Sequence, residues 1–168
     1  MSLIEQVPLS DLLRRDQTVT RSGIIPYVIL NNQVHWLMTR AISGRLGDFG
    51  GQANSGETAF ECAFRELNEE SSGLLTHMIY QTMSEIAQDP TRWSQIQVWR
   101  ARTRQAPYKY RYLTLVPIAA ADYNTSFRPN AEVLALLWIT QGYVLDQLIP
   151  IDSFLTTIQQ FIRFFRRI

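Results

Sequence analysis

Glu66, Glu69 and Glu70 stand at steps of three and four residues, the spacing that returns to one face of an α-helix. Carboxylates crowded on one face repel one another, and a cation between them relieves the repulsion. An oxygen-only ligand set favours a hard divalent ion, Mg²⁺ or Mn²⁺, over zinc. The same spacing also fits a solvated acidic face, so the flanking residues must decide. Thr58 and Glu61 form a T-x-x-E capping box ahead of good helix formers, which predicts that a helix starts there. Phe60, Ala63, Phe64 and Leu67 make an apolar stripe beside the acids. Arg65 lies one turn from Glu69 with opposite charge, and Gly73 offers a helix stop.

The whole segment resembles the signature of the Nudix hydrolases, G-x5-E-x7-R-E-U-x-E-E-x-G-U, in which U is a bulky apolar residue. Gly51 is followed at the right intervals by Glu57 and by Arg65-Glu66-Leu67-Asn68-Glu69-Glu70. Gly50-Gly51 and Gly56-Glu57 match its common "GG…GE" form. One position departs: Ser72 stands where the last glycine belongs, and Gly73 follows one residue late. That departure touches the helix C-terminus and leaves every charged position intact. Weaker resemblance extends over roughly residues 20–148.

The resemblance implies an α/β/α sandwich around a mixed β-sheet and hydrolysis of a diphosphate linkage in a nucleoside diphosphate joined to another group. A divalent cation held by Glu66, Glu69 and Glu70 would neutralise phosphate charge and acidify a bound water. By the same resemblance the Gly51 carbonyl is a further ligand and Glu69 a catalytic residue. Glu57 and Arg65 are scaffold, with Arg65 tying the acidic helix to the preceding loop. The family draws a further base or ligand from outside the signature. Glu132, in a Glu132…Trp138 segment like the family's late acid and tryptophan, is the leading candidate; Asp122 and Glu85 are its rivals.

Composition frames these expectations. A chain of 168 residues with net charge +1 can bury one core and has no global pull toward nucleic acid or membrane. The single cysteine, Cys62, excludes an internal disulfide framework and reads as core packing. Without an 18-residue apolar run or a signal-like N-terminus, the expected location is cytoplasmic and no membrane partner is expected. Arg100, Arg102, Arg104, Lys109 and Arg111 alternate with aromatic residues and predict a substrate-binding basic surface. A nucleotide, a polyphosphate or capped RNA would suit it, with tyrosines stacking on bases. mRNA decapping and diphosphoinositol polyphosphate hydrolysis therefore stay open, as does a non-catalytic RNA-binding or ligand-sensing module. Oligomeric state is open too, a homodimer included.

The elements that must carry these residues read as one domain over 1–168. Residues 1–20 form a short lead with helical character around 9–15. A hairpin is predicted from 24–30 and 34–40 around Asn31-Asn32. A glycine-bearing loop over 41–50 leads into the signature, and a short strand is expected at 83–86. Longer strands span 95–104 and 108–119 around a turn at 105–107. The segment 131–139 is ambiguous between helix and strand, and 152–168 holds a terminal amphipathic helix. Strands, helix, strands and helix in that order suggest a mixed sheet covered on both faces.

Overall fold

The computed structural model describes residues 4–140. Its spine is β2 (Thr18–Leu30), which pairs with β3 (Gln33–Arg40) across the expected hairpin. Asn31 and Asn32 take φ of 51° and 61°, the left-handed pair that a two-residue hairpin turn requires and that asparagine tolerates. The spine pairs with β3 only through residues 27–30. Two short strands follow β3: β4 (Leu46–Gly47), which pairs with the end of β3, and β5 (Phe49–Gln52), which pairs with β2 through residues 21–24. The signature glycines are therefore delivered on a strand, in register with β2.

The signature helix, α1 (Ala59–Glu70), follows, and then α2 (Thr76–Ala87). The second helix corrects the expected strand at 83–86. Ile79, Met83 and Ile86 are buried at steps of four and three, a helical stripe that a four-residue window does not reveal. The chain returns through β6 (Gln97–Arg102) and β7 (Lys109–Pro117), the latter parallel to β2. A parallel pair needs a long crossover, and α1, α2 and β6 supply it. The lead contributes an edge strand, β1 (Ile4–Val7), against β6, and a 3₁₀ turn at Leu9–Leu13. A one-turn helix, α3 (Tyr123–Ser126), precedes β8 (Ala135–Thr140), which pairs with β3 and resolves the ambiguous 131–139 segment as loop and strand. The described residues thus form an eight-stranded mixed sheet. The predicted helix at 152–168 lies outside them.

Strand alternation sends apolar side chains to both faces of the sheet. Ile24, Leu37, Tyr112 and Val116 join Ala63, Leu67, Ile79 and Ile86 of the helices in one core. Ile25, Trp36, Met38, Leu113 and Leu115 form a second core on the opposite face. Among the described residues no helix is long and apolar enough to cross a membrane.

Gly23 and Gly50 sit opposite each other on β2 and β5 because nothing larger fits. A Cβ on Gly50 would lie 2.7 Å from the Gly23 α-carbon and 2.9 Å from the Ser22 carbonyl oxygen, both backbone atoms that cannot step aside. Gly50→Ala is expected to lower the urea midpoint, at a cost of about 1–3 kcal/mol for overpacking. A wild-type midpoint would show that the two strands can spread.

Candidate metal centre

The loop and helix of the signature lock together through local hydrogen bonds. Glu61 N–H donates to Thr58 Oγ1 at 3.1 Å and Thr58 N–H to Glu61 Oε1 at 3.0 Å, completing the capping box. Arg65 then binds backward to the loop. Its Nε and Nη2 meet the two Glu57 carboxylate oxygens at 2.9 and 3.0 Å, and Nη2 also reaches the Gln52 carbonyl at 2.9 Å. Its Nη1 holds Glu66 at 2.9 Å. The Arg65 guanidinium keeps the Glu57 carboxyl below its usual range. This arginine therefore fixes both the loop and one of the candidate ligands.

Glu66 and Glu70 lie one turn apart on α1 and are both buried, and Glu132 reaches them from the exposed loop before β8. Each offers an oxygen within 4.8 Å of the others. Glu70 Oε1 is buried with no hydrogen-bond partner among the described residues. Burial, followed by the charges of Asp48 and Glu66, pushes the Glu70 carboxyl up to about 9, against a backbone hydrogen bond from Gly50. Burial also raises Glu66, partly offset by Arg65. A buried carboxylate oxygen without a donor, beside two more carboxylates, fits a hard cation and no neutral ligand as well. Glu69 stands outside this trio, half exposed, with an oxygen 3.6 Å from Arg65.

Gly51 meets the acids through its missing side chain, since a Cβ there would lie 2.6 Å from the Glu66 carboxyl carbon. Its carbonyl oxygen accepts from Cys62 Sγ at 3.5 Å. Burial raises the Cys62 thiol to about 11, so the residue stays protonated and serves packing. A cleft of about 290 Å³ is lined by Glu70 and Glu132 together with Arg21, Thr39, Arg45 and Asp48. Arg21 clamps the buried Asp48 through two bonds of 2.7 and 2.6 Å, which pairs that carboxylate without cancelling its effect on Glu70.

No protein-family model matches the sequence, and no curated protein matches it either. Solved structures do. A C. elegans Ap4A hydrolase in a binary complex superposes with a TM-score of 0.53 at 12% identity, over 90% of this chain and 99% of that one. The NUDIX domain of Shewanella oneidensis NrtR, complexed with ADP ribose, gives 0.52 at 14% identity over 90% and 91%. The chain has the Nudix fold.

Within the Nudix fold the remaining candidates separate. Asp122 is committed to α3, where it accepts from the backbone of Asn124 and Thr125 at 3.1 and 3.3 Å and from Thr125 Oγ1 at 2.6 Å. Glu85 is exposed on α2 and accepts from Gln81 at 3.3 Å. Only Glu132 of the three joins Glu66 and Glu70. The expected basic surface is corrected by the register. Arg100 pairs with Tyr112 and Arg102 with Tyr110, whereas Arg111 pairs with Ala101. Directly paired residues share a face, so Lys109 and Arg111 point away from Arg100 and Arg102. Arg100 is further turned inward onto Glu5 and Asp11, with its guanidinium 4.7 Å from the Tyr110 ring centre. Arg102 stacks on Tyr108 at 5.0 Å, and Arg104 is exposed in the connecting turn. Sequence reasoning missed Asp48, Arg21 and Arg45. The pattern carries no signal for them beyond the place of Asp48 two residues ahead of the glycine pair.

Proposed function

We propose that the chain is a divalent-metal-dependent hydrolase of a diphosphate linkage in a nucleoside diphosphate derivative. The observation that carries this reading is the buried Glu70 carboxyl, with one oxygen unpartnered, grouped with Glu66 and Glu132; Glu66 and Glu70 stand at signature positions and Glu132 comes from outside the signature. Glu66, Glu70 and Glu132 would hold the cation, and the exposed carboxylate of Glu69 stays accessible beside them. A bound Mg²⁺ or Mn²⁺ supplies charge neutralisation at the phosphate oxygens and a more acidic water. The chain's own residues do the rest. Arg65 keeps Glu66 aimed, Arg21 holds Asp48 in an ion pair, and Arg45 lies in the same cleft, with a planar fork suited to a substrate phosphate. The Glu132 oxygen that does not hold the cation would be the one to accept the proton of the attacking water. A nucleotide is the preferred substrate because the two neighbours are an Ap4A hydrolase and a NUDIX domain complexed with ADP ribose. The cations that would favour capped RNA or a diphosphoinositol polyphosphate lie on two faces of the sheet, Arg100 and Arg102 on one and Lys109 and Arg111 on the other.

The test is a panel of dinucleoside polyphosphates, ADP-ribose-like compounds and nucleoside triphosphates, assayed with Mg²⁺ and Mn²⁺. At least one substrate should turn over, stop in chelator and recover when metal returns. No turnover across the panel with either metal, or turnover that survives the chelator, would remove the proposal.

A further inference from the structure

The end of α1 carries a bridge that the signature does not account for. Ser72 has φ 53°, a left-handed conformation in which a Cβ is strained and glycine is not. The turn closes through backbone alone: Ser72 N–H donates to the Glu69 carbonyl at 3.3 Å and Gly73 N–H to the Asn68 carbonyl at 2.8 Å, the two bonds that end a helix in this way. A glycine at 72 would make both with less strain, so the turn does not need the serine side chain. Instead the Ser72 hydroxyl donates to the Arg128 carbonyl at 2.6 Å and accepts from Asn130 Nδ2 at 3.0 Å. Asn130 Nδ2 also reaches the Glu69 and Glu70 carbonyls at 3.3 and 3.1 Å. The other end of the same amide, Oδ1, accepts from the Glu132 and Val133 N–H groups at 3.0 and 2.9 Å. One side chain thus joins the helix end that carries Glu70 to the backbone of Glu132, and Ser72 clamps it.

We infer that Ser72 and Asn130 are positioning residues that set the Glu132 carboxylate against those of Glu66 and Glu70. The inference rests on the metal-centre reading above. Glu132 is exposed and anchored through its backbone N–H, so the placement of that backbone limits where its carboxylate can reach. Groups that orient metal ligands typically change affinity by about 10–100-fold when removed. The serine departure from the signature then exchanges a relaxed helix end for a tethered ligand loop.

The experiment is a Mn²⁺ titration of the full chain, with free ion read by EPR, alongside urea denaturation in chelator. Four proteins are compared: wild type, Ser72→Gly, Glu132→Gln and the double variant. Ser72→Gly should bind Mn²⁺ about 10-fold more weakly, while its urea midpoint in chelator equals or exceeds wild type. Glu132→Gln should also bind more weakly, and Ser72→Gly should add nothing in that background, because both changes act through one carboxylate. Wild-type affinity in Ser72→Gly, an equal loss in both backgrounds, or a fallen midpoint in chelator would overturn the inference. Weakened binding in Glu132→Gln with Ser72→Gly intact overturns it alone. Unchanged binding in Glu132→Gln takes the metal-centre reading with it.

Discussion

Glu70→Gln should slow turnover by roughly 10²-fold or more, the scale of losing a key electrostatic group, and yet make the metal-free protein more stable at alkaline pH. Both effects come from one buried carboxyl. Folded, Glu70 holds its proton up to about pH 9, whereas its ordinary value is 4.5. Between those values the folded state binds more protons than the unfolded chain, so stability falls as pH rises. The metal-free wild type should therefore lose stability from pH 6 to pH 9, on the order of a few kcal/mol at most. Glu70→Gln, with no charge to bury, should lose much less over that window. Mn²⁺ should restore the wild type at pH 9, and its affinity should tighten with pH, because binding must displace the Glu70 proton. Urea midpoints at the two pH values, with and without Mn²⁺, measure all of this. A wild-type stability that climbs toward pH 9, or a variant that turns over normally, would remove Glu70 from the site.

At saturating metal, Glu132→Gln is expected to lower kcat by about 10²–10⁴-fold, the range for a general base, with KM within a few fold. The change keeps size and removes only charge and basicity, and Glu66 and Glu70 remain on α1. Asp122→Asn and Glu85→Gln are the matched controls. Asp122 caps the α3 turn, and asparagine caps a helix about as well, so its variant should change stability little and leave kcat alone. Glu85 lies on the exposed side of α2, and its variant should change neither. Steady-state kinetics of the three decide the matter: a larger loss in either control would move the role to that residue.

Much of the centre could be read from the chain because it is local. The capping box, the Arg65–Glu57 pairing across eight residues and the one-turn offset of Glu66 and Glu70 all lie within one loop and one helix. Short-range backbone geometry fixes where such side chains go. The Asn-Asn hairpin was legible for the same reason. The expected strand at 83–86 failed because its apolar residues belong to a longer helical stripe that begins at Ile79.

Contacts between distant segments were a different matter. Whether five cations form one surface depends on strand register, and a single step of the pleat sends Arg111 to the face opposite Arg100. Nor could spacing have joined Arg21 to Asp48, or Asn130 to the end of α1, since each pair meets only after the sheet has closed. By itself the sequence determined the helix, the one-turn offset of Glu66 and Glu70 and the arginine that ties the helix to its loop, because those follow from short steps along one segment. Tertiary structure decided which of the three candidate acids, Glu132, Asp122 or Glu85, stands beside Glu66 and Glu70, and that Glu70 is buried enough to hold its proton. Position across a fold, and the desolvation that comes with it, are properties of the packed chain.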